Sequence, residues 1–152
     1  MVINQLMAQL NRSFALMDLG SLHYFLRIEV QHTADGIHLS QHKYICDLFQ
    51  RTNMLTAKPF PSPIVPTAGH SLSAYNGSPI SNITEYRSVV DALQYATITR
   101  PDITYVVNRV CQFMHNPLDE HWKTVKRILR NLRGTTDRSI ICVFLYPLNR
   151  IF

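Results

Sequence analysis

The sequence predicts an α+β fold: a β-hairpin with a short helix, a proline-rich linker, then a three-helix segment. Three observations carry this. Residues 23–41 hold two β-rich runs, HYFLRIEVQH and IHLSQ, around an Asp-Gly turn, the pattern of a hairpin. Between Lys58 and Ile80 stand Pro59, Pro61, Pro63, Pro66 and Pro79, with Gly69 and Gly77, which makes that stretch extended and poor in regular structure. Beyond it, apolar residues recur at helical spacing in three successive stretches. The chain accordingly divides into 1–57, a linker 58–83, a helical segment 84–136 and a tail 137–152.

Taken in order, residues 2–12 place Val2, Ile3, Leu6, Met7 and Leu10 on one face of a short amphipathic helix. Gly20 signals a turn, and His23–His32 read as one strand, aromatic and β-branched. Ser40 is placed to cap a helix whose apolar face is Tyr44, Ile45, Leu48 and Phe49, ending near Asn53. After the linker, Thr84 is placed to cap a helix bearing Tyr86, Val89, Val90, Leu93 and Thr97. Pro101 starts the next, with Asp102 in its first turn and Ile103, Val106, Val107, Val110, Phe113 and Met114 on one side. The last helix runs from about Asp119 to Arg133 and stops at Gly134. In the tail, IICVFLY reads as a buried strand. No internal repeat or low-complexity tract is evident.

Composition narrows the function classes. The 152 residues carry a net charge of +5, and 11 of the 15 cationic side chains are arginine, the residue that forks onto phosphate. Charged residues are only 16%, low for the surface of a soluble monomer. Cys46, Cys111 and Cys142 form no CxxC pair, which suits free thiols in a reducing compartment better than a disulfide scaffold. No secretory signal is evident, and no stretch approaches the roughly 20 apolar residues that span a bilayer. Nucleus or cytoplasm is the expected location, with organelles left open.

The strongest local signal for a partner is HWKTVKRILRNLRG. On a helical projection, Trp122, Val125, Ile128, Leu129 and Leu132 fill one arc. Lys123, Lys126, Arg127, Arg130 and Arg133 fill the opposite one, with no acid among them to neutralise the stripe. Three readings stay open: a solvated positive face, a surface for nucleic-acid phosphates, and a contact for an anionic membrane or acidic protein. His38, His42 and Cys46 recur every fourth residue, but His38 falls on the preceding strand and no further ligand sits at finger-like spacing. Asp119 and Glu120 lie at a helix N-terminus, where they favour the dipole. No Gly-rich phosphate loop, GxSxG or HExxH motif occurs.

Five strings then stand together: FALMDLGSLHYFLRIEV, GIHLSQHKYICDLFQRTNM, KPFPSPI, YRSVVDALQYATITRPDITYVVNRVCQFMHNP and HWKTVKRILRNLRGT. In this order and spacing they resemble the later part of the reverse-transcriptase region of Ty1/copia-type Pol polyproteins, over roughly residues 5 to 136. The resemblance implies a partial palm and thumb fold, with the hairpin corresponding to a primer grip and Phe25, Leu26, Arg27, Ile28 and Glu29 at its centre. In that family a Tyr-x-Asp-Asp turn precedes the matched region and holds Mg²⁺ for phosphoryl transfer. Here no Asp-Asp occurs and the first acid is Asp18.

The resemblance therefore implies a severed polymerase with no catalytic residue, metal ligand or cofactor of its own. Its expected partner is an RNA or DNA primer–template, with missing polymerase parts supplied in trans and no membrane role. The alternative is a basic fragment adapted as a nucleic-acid- or protein-binding module. Arg27 and Asp91 stand where the family pattern has Gly: a positive φ at the first, or a closely packed face at the second, would make the replacement costly. After Thr136 the likeness fades.

Overall fold

The computed structural model describes residues 2–14, 20–34, 36–64, 72–73, 75 and 77–143. They form an α+β arrangement: a four-stranded antiparallel sheet in the order β1-β2-β3-β4, and five α-helices. Helix α1 (Val2–Ser13) comes first and ends one residue beyond the expected 2–12. Strands β1 (Tyr24–Phe25), β2 (Ile28–His32) and β3 (Gly36–Ser40) follow, then α2 (His42–Arg51). Beyond the proline-rich stretch lie α3 (Ile83–Ala96), a 3-10 turn Pro101–Ile103 running into α4 (Thr104–Cys111), and α5 (Asp119–Arg133). Strand β4 (Ile140–Val143) closes the far edge of the sheet on β3.

The run expected as one strand, His23–His32, is two. It folds back at Leu26–Arg27, where φ is 47° and 61°, and Phe25 pairs with Ile28 across the turn. Positive φ at both central positions is the requirement of the tight hairpin turn whose twist suits flanking strands. Leucine and arginine are poor residues for it, so the sequence carries no turn signal there. The second hairpin, β2 to β3, pairs Glu29 with Ser40 and His32 with Ile37. Gly36 already belongs to β3, and Asp35 lies outside the described residues.

Two expected caps are replaced. Ser40 is the last residue of β3, and its hydroxyl donates to Glu29 Oε2 at 3.1 Å. The other oxygen of Glu29 accepts the Lys43 backbone N–H at 2.9 Å, so a carboxylate from β2 serves the exposed N-terminus of α2. Its C-terminus closes with Asn53 at φ 54°, Asn53 N–H to Gln50 O (3.2 Å) and Met54 N–H to Phe49 O (2.8 Å). That is a Schellman ending with asparagine at the left-handed position. For α3 the cap is Asn82, not Thr84: its side-chain oxygen accepts from Glu85 N–H at 2.9 Å. Asparagine two residues earlier leaves Thr84 inside the helix, where its hydroxyl cannot reach the free N–H groups.

The core joins α2 to the three later helices. Tyr44, Ile45, Leu48 and Phe49 pack with Val89, Val90 and Leu93 of α3, Val107 and Val110 of α4, and Ile128, Leu129 and Leu132 of α5. Helix α3 lies central, touching α2, α4 and α5. The expected apolar faces of these helices are the ones buried, except that Trp122 on α5 is half-buried, and Thr97, Phe113 and Met114, also half-buried, lie beyond the ends of α3 and α4. The strand expected as buried in the tail is an edge strand with Ile141 54% exposed. An edge position covers one side only. Residues 144–152 lie outside the described residues.

Candidate nucleic-acid interface

Helix α5 separates its two faces as its spacing predicts: Val125, Ile128, Leu129 and Leu132 are buried, while Lys123, Lys126 and Arg133 are exposed and Arg127 and Arg130 half-buried. The stripe is not a bare solvated face. The proline-rich stretch runs antiparallel along it as a strap. Arg133 Nε donates to Leu55 O (3.0 Å), Arg130 Nε to Lys58 O (2.8 Å) and Arg127 Nε to Ser62 O (3.1 Å). Between them Asn131 Nδ2 donates to the carbonyls of Phe60 and Pro61, and Phe60 N–H donates to Arg130 O at 3.1 Å. Prolines leave backbone carbonyls without competing N–H donors, and arginines every third residue rise about 4.5 Å per step to meet them.

Phe60 lies under two of these guanidiniums, with Arg127 Cζ 4.0 Å and Arg130 Cζ 5.1 Å from its ring centroid. Gly134, expected as a helix stop, has φ −83°, and its role is close approach: a Cβ there would sit 3.0 Å from Pro59 Cβ. Side-chain atoms of the three arginines other than Nε have no hydrogen-bond partner among the described residues.

One sequence expectation fails. Lys123 is neutralised within the helix: its Nζ is 2.6 Å from Glu120 Oε1 and 3.3 Å from Asp119 Oδ2. The acids lie one turn earlier, in reach of a three- or four-residue spacing although outside the stripe. These contacts hold the Lys123 ammonium above its ordinary pKa, Glu120 contributing first. Asp119 is held low, chiefly by the Ser78 backbone N–H, 3.0 Å from Oδ1. The cationic surface is therefore carried by Lys126, over the Trp122 ring at 5.6 Å, and the three arginines.

The hairpin residues Phe25, Leu26, Arg27, Ile28 and Glu29 fall in a second place. Phe25 and Leu26 are exposed, at 57% and 65%, and Tyr95 Oη donates to the Leu26 carbonyl. The Arg27 guanidinium sits 5.5 Å from the Tyr44 ring centroid. Turn, α2 and α3 enclose an open cleft of about 420 Å³, with Arg51, Ser88 and Asp91 on its walls. Burial raises the Tyr44 phenol pKa, opposed by Arg51 and Arg27. Asp91 is exposed, so the cost foreseen for a buried carboxylate does not arise; Arg27 does stand at the positive φ that favours glycine. Ile28 is half-buried in β2, and Glu29 is occupied with the α2 terminus.

Among the buried polar residues that sequence reasoning passed over, Arg100 and His121 join elements. Arg100, 1% exposed, forks onto Asp102 (2.9 and 2.7 Å) and donates to the Thr135 carbonyl and hydroxyl, tying the start of α4 to the end of α5. His121 accepts the Leu118 N–H at Nδ1 (3.0 Å), lies 3.1 Å from the Ser73 carbonyl through Nε2, and stacks on Phe113 at 3.9 Å. Arg-Pro-Asp was the available signal for the first.

Residues 1–66 match the family model for reverse transcriptase (RNA-dependent DNA polymerase). The chain is 48% identical over 139 residues to the retrovirus-related Pol polyprotein from transposon RE1 of Arabidopsis thaliana, covering 91% of this chain and 9% of that protein. This chain is of the copia-type reverse-transcriptase family. The polyprotein from transposon RE2 of the same plant is 47% identical over 131 residues, 86% of this chain and 9% of its own length. An uncharacterized mitochondrial protein of Arabidopsis thaliana is 40% identical over 134 residues, 88% of this chain and 55% of its own. The chain thus spans about a tenth of the polyproteins it matches. No solved structure matches it. No described helix is long and apolar enough to cross a membrane.

Proposed function

We propose that this copia-type chain does not polymerise by itself and retains affinity for the phosphate backbone of an RNA or DNA primer–template. The observation carrying the reading is the α5 face, where Arg127, Arg130 and Arg133 are pinned through Nε beside Lys126. Pinning removes part of the rotamer entropy that a free arginine loses on gripping phosphate. In the same reading the turn around Arg27 is a grip-like hairpin of a palm, and α3–α5 belong to thumb and connection segments. Two-metal phosphoryl transfer needs converging carboxylates. The described residues include no group of three His, Cys, Asp or Glu side chains able to hold a metal, and the sequence has no Asp-Asp, so the described residues offer no donor set for Mg²⁺.

Extension of a primed RNA template with Mg²⁺ or Mn²⁺ is expected to give no incorporation above a buffer control. Clear incorporation would overturn the first half of the proposal. Anisotropy of a labelled primer–template should show affinity falling with salt at a log–log slope of about −3, for three or four phosphates. Salt-independent binding, or none by a folded sample, would sink the second half.

A further inference from the structure

We infer that Phe60 is a positioning residue for anion capture, and that the strap and α5 together form the phosphate-binding surface. The inference rests on the reading of α5 as a phosphate surface and adds what prepares its arginines. An exposed arginine on a lone helix samples many rotamers. Here Arg127 and Arg130 are each held at two points, a strap carbonyl at Nε and the Phe60 ring, whose centroid is 4.0 and 5.1 Å from the two guanidinium carbons. Phe60 is held in turn, since its N–H bonds Arg130 O and its carbonyl accepts from the Asn131 side chain.

Above this platform is a groove of about 340 Å³, lined by Arg127, Arg130, Lys126, Lys123, Thr124 and Glu120 together with the Phe60 ring. Four cations face one carboxylate there, and that carboxylate is engaged with Lys123. With Nε occupied, two adjacent arginines line a concave, net positive surface, and their Nη groups remain to donate. Paired N–H donors in one plane match the spacing of phosphate oxygens, where a point charge such as lysine does not. The chemistry favoured is a phosphodiester or a linear polyphosphate, recognised without reading bases.

Phe60 supplies no charge, so replacing it tests positioning apart from electrostatics. Two probes are titrated into the full chain by anisotropy or calorimetry: inorganic tripolyphosphate and a labelled oligodeoxythymidine. Phe60→Leu keeps an apolar filler and removes the ring; Phe60→Trp keeps a ring. Phe60→Leu is expected to weaken tripolyphosphate binding about three- to tenfold with the salt slope unchanged, while Phe60→Trp stays within about twofold. Arg127→Lys should weaken it comparably although it conserves charge.

Thermal melts accompany each variant. If Phe60→Leu lowers the melting temperature sharply, arginine Nε–Hε exchange by NMR in the folded fraction replaces affinity as the readout. Faster exchange at Arg127 and Arg130 supports the inference, and unchanged exchange overturns it. Wild-type affinity in Phe60→Leu overturns it directly. Tripolyphosphate binding that depends on Phe60, without oligonucleotide binding, would uphold Phe60 and sink the proposed affinity for a primer–template. Failure of both probes to bind wild type would overturn both.

Discussion

Arg27, at φ 61°, and Leu26, at φ 47°, form the turn between β1 and β2 with side chains that the left-handed region disfavours. A non-glycine residue there costs roughly 1–2 kcal/mol. Arg27, itself exposed, recovers part of this through the Tyr44 ring, a contact of modest worth. Arg27→Gly is therefore expected to stabilise the folded chain by about 0.5–1 kcal/mol, read as a raised urea midpoint with unchanged m-value. A lowered midpoint would mean that the guanidinium contact outweighs the strain. Glu29 behaves oppositely. Its two oxygens serve Ser40 and Lys43 N–H, so Glu29→Ala should cost about 1–2 kcal/mol by the same measurement.

At the scale of elements, the entry to α5 is pH-sensitive through His121. Burial lowers its pKa below the ordinary 6.5, against weaker opposing effects from the Ser73 carbonyl, Asp119 and Glu120. A histidine depressed in the folded state is protonated first in the unfolded chain, so stability rises with pH across the interval. The contribution is complete above about pH 6.5 and is lost as pH falls from there toward the folded value. A proton on Nδ1 would also face the Leu118 N–H that Nδ1 now accepts. The melting temperature should drop by a few degrees on going from about pH 7 to pH 5.5, and His121→Gln should flatten that drop. An equal drop in both proteins would assign it elsewhere.

The other joint between elements is Arg100. Its removal strips hydrogen bonds from Asp102 and Thr135, and Arg100→Met is expected to cost about 2 kcal/mol or more even though the methylenes are partly replaced. Asp102, held below its ordinary pKa chiefly by Arg100, should titrate higher in that variant by carboxyl NMR.

Across the whole molecule, the helical core is well covered and the N-terminal side is not. Leu6, Met7 and Leu10 on α1 and Phe14 just after it are 42–65% exposed, as are Leu22, Tyr24, Phe25 and Leu26 around β1 at 50–65%. Exposed apolar surface of this kind favours self-association and dye binding. The isolated chain is expected to bind anilinonaphthalene sulfonate and to elute larger with rising concentration. Combining Leu6→Gln, Leu10→Gln and Phe14→Gln should reduce both without lowering the melting temperature. A sharp two-state melt of a monomer that binds no dye would contradict this expectation.

Periodicity alone determined α1, the buried faces of α2 to α5 and the two-sided character of α5, because helical spacing is local and needs no partner to be seen. The caps were legible only in part: Asn53 and Gly134 mark helix ends, whereas the α2 N-terminus is served by Glu29, 14 residues back, which no local pattern encodes. Motif order was enough to indicate the family. What tertiary structure decided is the state of the charges and the turn. Lys123 is cancelled by its own helix, and Arg127, Arg130 and Arg133 are engaged by a strap some 65 to 78 residues earlier in the chain. A cation's availability depends on which carbonyls and carboxylates folding brings within about 3 Å, and that distance is a property of packing, not of sequence spacing.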